Sequence, residues 1–289
     1  MGDPLQQLIS IILFGVLAGG VFSLFALGLS LVFGVAKIVD LTYAGYIAIA
    51  SYFLFTLEPI VGVLASVLLS VALTIPIAIL VERFIIRPLR TSEIQVMMAT
   101  FGVALLIQYS ITGIWGSLAS AVPAYFSGAL TVGQSVVSMQ QFVQLPIGLL
   151  ISIGVILFLG YTKHGKAIIS VSQDSIASWL VGINVNSIMA LTIVLSAVLA
   201  ASAAVLSAPI SAITPSMGWS PFITAFIVVV FGGIGNVKGT VIASYMYGLI
   251  LNSVNVLISP SWSDIVGITL LVTILILKPS GVLGTRAPA

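Results

Sequence analysis

The sequence holds no cysteine and a single histidine. Without thiols there is no disulfide framework, no thiolate metal site and no cysteine nucleophile. Charge is scarce as well: 6% of the 289 residues are charged, against 60% hydrophobic. A soluble domain carries about 25% charged residues, so this chain has too little polar surface to face water all round. A mean hydropathy of +1.29 places it in a lipid bilayer. There the backbone must satisfy its own hydrogen bonds, which leaves helices or a closed barrel. The apolar runs are continuous rather than alternating, so helices are expected. Nine basic residues against seven acidic ones leave a net charge of +2, and no nucleic-acid partner is expected. No Lys or Arg precedes the first apolar run, so that run reads as a retained span rather than a signal peptide.

Long apolar runs cover residues 8–33, 60–81, 94–114, 145–161, 187–208 and 265–277, several of them long enough to cross about 30 Å of hydrocarbon. Residues 43–57 are apolar but shorter, and Glu58-Pro59 reads as a turn because proline interrupts a helix. Residues 222–231 and 241–251 are two short runs around a glycine-rich turn. They read as two spans or as a hairpin that enters and returns. The expected fold is an all-α polytopic membrane protein with eight or nine transmembrane helices, the pair near 222–251 being either two spans or a broken or re-entrant pair. Residues 1–289 read as one transmembrane domain. The basic cluster Glu82-Arg83-Phe84-Ile85-Ile86-Arg87-Pro88-Leu89-Arg90, the group Lys163, His164 and Lys166, and the pair Lys278 and Arg286 mark cytoplasmic segments. Residues 115–144 contain no Lys or Arg and read as an outside loop with a small hairpin around 128–133. This puts the C-terminus in the cytoplasm and the N-terminus outside, in a multi-pass protein of the cell membrane.

Few motifs carry chemistry. Gly233-Ile234-Gly235-Asn236-Val237-Lys238-Gly239-Thr240 resembles a phosphate loop only superficially, because Gly239 separates Lys238 from Thr240 and no strand precedes it. Gly232, Gly233, Gly235 and Gly239 instead suit a tight turn and close helix packing. His164 has no carboxylate or cysteine cluster around it, so no metal site is expected. The segment 162–187 is the polar exception between spans. Ile169, Ser172, Ile176, Leu180 and Ile183 step at three or four residues, which predicts one amphipathic helix ending at Gly182 and lying across the membrane surface.

Here the residues carry a resemblance. The run Gly165, Lys166, Ala167, Gln173, Asp174, Ala177, Gly182, Ile183, Asn184 is similar to the cytoplasmic loop of permease subunits of branched-chain amino acid ABC importers. Phe231-Gly232-Gly233-Ile234-Gly235-Asn236-Val237-Lys238-Gly239 resembles that family's glycine signature. Leu277-Lys278-Pro279-Ser280-Gly281-Val282-Leu283-Gly284 resembles its C-terminal ending. Length and spacing resemble the shorter, LivH-type subunit. The resemblance implies a pore without its own engine. A separate cytoplasmic ABC ATPase would use ATP-Mg and dock on the segment at about 162–187, and this chain would bind no cofactor. It further implies a second, related permease subunit and an extracytoplasmic substrate-binding protein. The implied cargo is a branched-chain or other small amino acid, with urea, amides or another small polar solute as the alternative within the family.

One segment departs from the family. Relatives usually read Ile-Leu-Asn-Phe/Leu-Ala/Ser-His-Gly after the first span, whereas this chain reads Ile38-Val39-Asp40-Leu41-Thr42-Tyr43-Ala44. Asp40, Thr42, Tyr43, Ala44 and Gly45 are therefore candidates for the translocation path. Asp40 also suits a helix cap, accepting amide hydrogen bonds from residues two or three positions on. An ion-coupled secondary transporter is the rival reading. Such machines place ionisable groups at mid-membrane, and only Asp40 and Glu93 come near a span here. An intramembrane enzyme has less support: there is no histidine pair, no paired carboxylate within a span and no Gly-x-Ser-x-Gly.

Overall fold

The computed structural model describes residues 4–132, 135–278 and 281–282. Helix α1 (Pro4–Ala36) is the central element, packing against α6 (Met139–Tyr161), α9 (Val185–Ser207), α10 (Trp219–Gly232) and α11 (Val237–Leu257). Around this group stand α2 (Thr42–Val61), α3 (Val63–Val81), α5 (Glu93–Trp115) and α12 (Ser263–Leu277). A π-helical turn (Glu82–Ile86) and a short α4 (Arg87–Leu89) extend α3. Two short helices, α7 (Lys163–Gln173) and α8 (Ser175–Leu180), join α6 to α9. Strands β1 (Ala129–Val132) and β2 (Ser135–Ser138) form an antiparallel hairpin before α6, pairing Ala129 with Ser138 and Val132 with Ser135.

Among the described residues, eight helices are long and apolar enough to cross a membrane. α10 is apolar but has only 14 residues, about 21 Å of helix. Its partner α11 has 21 residues and crosses fully, so the pair near 222–251 is unequal.

Contacts between distant residues fix which helix ends lie together. α1 and α11 run antiparallel: Gly15 meets Leu249, Gly19 meets Tyr245 and Gly34 meets Gly235. Val282 donates its N–H to the Phe231 carbonyl at 2.9 Å. Val35 shares an apolar cluster with Ile168, Val171 and Ile188, and Arg90 bonds Asn186 at 3.0 Å. The ends near residues 36, 90, 161–187, 232–237 and 278–282 therefore form one face, which we refer to as the basic end. At the opposite end, the hairpin end, Tyr125 Oη donates to the Val205 carbonyl at 3.2 Å and Ser120 pairs with Ile213. From Ser207, non-helical residues 208–218 lead to the start of α10, which then runs to the basic end.

Buried hydroxyls tie the central helices. Ser23 and Ser152 oxygens lie 3.0 Å apart, and Thr240 donates to Ser30 at 3.0 Å. Such interhelical bonds substitute for the water that lipid lacks.

Two expectations need correction. Glu58-Pro59 is not a turn: α2 continues through it to Val61. Pro59 lies inside the last turn of α2, and the chain reverses instead at Gly62, whose φ is +80° and whose N–H bonds the Glu58 carbonyl. Gln140 and Gln141 are not loop residues. They open α6, capped by Ser138, which accepts from the Gln141 N–H at 3.3 Å while the Gln141 side chain returns a bond, a capping box.

Candidate functional site

The 162–187 segment forms two helices rather than one. Thr162 caps α7 by accepting from the Gly165 N–H at 2.9 Å. Asp174 breaks the helix and caps α8, its Oδ1 accepting from Ile176 at 2.8 Å and Ala177 at 2.9 Å. A carboxylate satisfies two orphan amides at a helix start, so the expected single helix gives way to a helix–cap–helix. The Ser170 and Ser178 hydroxyls lie 2.8 Å apart and hold the two helices together.

The buried stripe also differs from the expected one. Gly165, Ile168 and Val171 face the core, one position off the Ile169–Ser172 stripe. Ile169 is exposed, and so are Ile176 and Leu180. The shift follows from Gly165, where an added Cβ would run into the Phe158 carbonyl oxygen. The segment docks by that glycine and its two helical neighbours.

One outward patch of the segment is apolar. Ile176, Trp179, Leu180 and Val181 are 72, 67, 72 and 76% exposed. They adjoin a cleft of about 400 Å³ lined by Trp179, Gly182, Ile183, Asn184, Val185 and Asn186. Gly182 holds a φ of +88°, a conformation glycine adopts without strain. Asn184 caps α9 by accepting from the Ser187 N–H at 3.2 Å. Lys166, Gln173, Asp174 and Ala177 are exposed on the same segment, and Ala167 is half-buried.

The second candidate group lies at the start of α2. Asp40, Thr42, Tyr43, Ala44 and Gly45 are all buried within the chain. Asp40 Oδ1 accepts from the Thr42 N–H at 2.9 Å, while Oδ2 is buried without a partner. Burial raises the Asp40 pKa to about 6, and the bonds with Thr42 only partly offset this. Lys37, in the same connector, is exposed and holds a φ of +53°. The one ion pair among the described residues is Arg90 with Glu82.

Neighbouring helices pin this connector. Leu41 N–H donates to Thr100 Oγ1 at 3.2 Å, and Thr42 Oγ1 donates to the Thr100 carbonyl at 3.3 Å. Tyr43 Oη donates to the Phe25 carbonyl at 2.7 Å. Gly218, at the head of α10, packs directly on the Ala44 carbonyl.

The glycine turn brings α10 and α11 into backbone contact at Gly232 and Gly239, and Gly235 rests on Gly34 of α1. Gly233 and Gly235 have φ of +96° and +78°. Asn236 caps α11, accepting from the Gly239 N–H at 3.0 Å. Among the described residues no cluster of three or more His, Asp or Glu is placed to hold a metal ion.

The family model for the permease component of branched-chain amino acid transport systems matches residues 11–275. This chain belongs to that family. Similar proteins include the high-affinity branched-chain amino acid transport system permease BraD of Pseudomonas aeruginosa, 29% identical over 97% of this chain and 95% of that protein. The corresponding permease LivH of Escherichia coli K12 is 27% identical over the same shares of each chain. A probable LivH permease of Methanocaldococcus jannaschii is 22% identical over 90% of this chain and 88% of that protein. No solved structure matches.

In this permease the 165–184 residues form one surface at the basic end, and the 40–45 residues form a buried knot beside α5 and α10. Sequence reasoning missed Thr100, which holds Leu41 and Thr42 from 59 and 58 positions away. It also missed the inward role of Arg90, because a basic cluster reads locally as an orientation signal. A further cavity of about 270 Å³, toward the hairpin end, is lined by Gln141, Gln144, Ser207, Ser211 and Asn252 and walled by Phe14, Leu17 and Val21.

Proposed function

We propose that this permease is the pore subunit of an ABC importer for branched-chain or other small amino acids, driven by a separate cytoplasmic ATPase that docks on residues 162–187. The observation that carries the docking reading is the exposed apolar group Ile176, Trp179, Leu180 and Val181 beside the Gly182–Asn186 cleft. Water-facing apolar patches next to a preformed cleft favour a protein partner. The amino-acid cargo rests on what the relatives' names say they transport. A second permease subunit and an extracytoplasmic binding protein complete the assembly. ATP-Mg is used by the ATPase, and this chain supplies the helices that the closing ATPases rock between two access states.

In this reading the basic end is cytoplasmic, which follows the excess of Lys and Arg there. With α10 and residues 208–218 together making one crossing, the N-terminus lies outside and the C-terminus inside. The buried Asp40 accepts the Thr42 N–H at the head of α2 rather than binding cargo directly, and selectivity resides mainly in the binding protein.

The test is reconstitution of the complex in vesicles with Gly182→Trp. The bulky side chain fills the cleft and cannot adopt the glycine conformation without strain. The ATPase should no longer co-purify, and leucine uptake should stop while the permease remains inserted. Unchanged co-purification and uptake would remove the docking site from this segment. Uptake of urea in place of leucine by the wild-type complex would reassign the cargo.

A further inference from the structure

The basic cluster at residues 82–90 does more than mark a membrane side. Arg83 and Arg87 are exposed, as a topology signal requires, but Arg90 folds inward with its side chain 17% exposed. Its Nη2 donates to Oε1 of Glu82, a carboxylate in the π-helical turn after α3 that is itself 7% exposed. Its Nη1 donates to Oδ1 of Asn186 at 3.0 Å, across 96 residues. Because a guanidinium only donates, the Asn186 amide must present its oxygen, so this contact has one orientation.

Asn186 is a wall of the cleft beside Trp179. The other polar bonds of that loop are internal to it: Gly182 N–H to Trp179, Ile183 N–H to Ser178, and Asn184 to Ser187. Arg90 is therefore the polar tie, among the described residues, between the cleft and the α3–α5 side of the bundle. Its guanidinium suits this role because a planar fork reaches two partners at fixed angles, which a lysine ammonium on one flexible stem does not. The π-turn belongs to the same device. The Arg87 N–H bonds the Glu82 carbonyl five residues back, a wide turn that accommodates Pro88 and sets Glu82 facing Arg90.

We propose that Arg90 is a positioning residue for coupling: by bridging Glu82 of the α3 extension to Asn186 of the cleft, it makes movement of the docked ATPase displace α3 and α5 instead of being absorbed in the connector. The load then reaches Thr100 of α5, which holds Leu41 and Thr42 at the head of α2. The proposal rests on the docking reading above.

Arg90→Lys keeps a cation for the buried Glu82, so it tests the second contact without stranding a carboxylate. Asn186→Ala removes the same contact from the other side. The readout is leucine moved per ATP hydrolysed in vesicles holding the complete complex, with co-purified ATPase measured in parallel. Each single variant should lower that ratio about threefold, the order expected for one solvent-exposed hydrogen bond to a charged group. The double variant should lower it no further, because both changes break one bond. Hydrolysis by the Arg90→Lys complex should continue. A wild-type ratio in Arg90→Lys, or a double variant whose loss is the product of the singles, would overturn the proposal. Failure of the docking reading looks different: the ATPase would still co-purify with Gly182→Trp, whatever the ratio in the Arg90 variants.

Discussion

A methyl group built on Gly232 would lie 2.7 Å from the carbonyl oxygen of Gly239, and one built on Gly239 would run into the carbonyl oxygen of Gly232. α10 and α11 thus meet backbone to backbone at the basic end, and neither residue admits a side chain. Gly239→Ala should destabilise the permease by about 1–3 kcal/mol, the usual cost of overpacking. A lowered thermal midpoint in detergent would show it, and an unchanged midpoint would mean that the turn yields.

Asp40 predicts a pH-dependent stability with an uncommon sign. Burial raises its pKa from 3.8 to about 6. Below the lower value both folded and unfolded chains carry the proton, and the group contributes nothing. Between the two values the unfolded chain ionises first, so stability falls as pH rises. Above the upper value the full cost, about 3 kcal/mol, is present. Asp40→Asn should therefore raise the thermal midpoint at pH 8 and leave it nearly unchanged at pH 4. A gain of equal size at both pH values would show that burial of the charge is not the cause.

The orientation can be read with introduced cysteines, since the native chain has none. Ser127, near the hairpin, and Thr91, near the basic cluster, are both exposed. A membrane-impermeant thiol reagent on intact cells should label Ser127→Cys and spare Thr91→Cys. The opposite pattern would invert the protein in the membrane.

The apolar patch on α8 gives a direct check on docking. Leu180 has 72% of its surface exposed, so Leu180→Asp should cost the isolated permease little, within about 0.5 kcal/mol. It should weaken ATPase association at least tenfold, the order expected for a charge placed in an apolar contact. Equal association of the two proteins would show that this face meets lipid or water instead.

Much of this protein was legible in the sequence because it rests on local sums. Transfer of an apolar run into hydrocarbon is additive along the chain, so residence in a bilayer and helical structure follow from composition and continuous apolar runs, and the hairpin near 128–133 from the turn geometry that its glycines permit. Proline and cap residues were less legible. Whether Glu58-Pro59 turns or continues depends on where the helix ends, and Gly62 decides that. The same holds for Asp174, whose two amide bonds split one periodic segment into two helices.

What the tertiary structure alone decided is which ends and side chains meet. Antiparallel contact of α1 with α11, through Gly15 with Leu249 and Gly34 with Gly235, assigns helix ends that hydropathy leaves ambiguous by one crossing. The burial of Ile168 and Val171 in place of Ile169 follows from the fit of Gly165 against Phe158. Asn186 and Arg90 become partners across 96 residues, and Thr100 becomes the anchor of Leu41 and Thr42. Hydropathy and helical period act over a few neighbouring residues, whereas these contacts depend on how separate helices pack. That packing is set by close backbone approach at glycines and by buried hydrogen bonds between residues far apart in the chain.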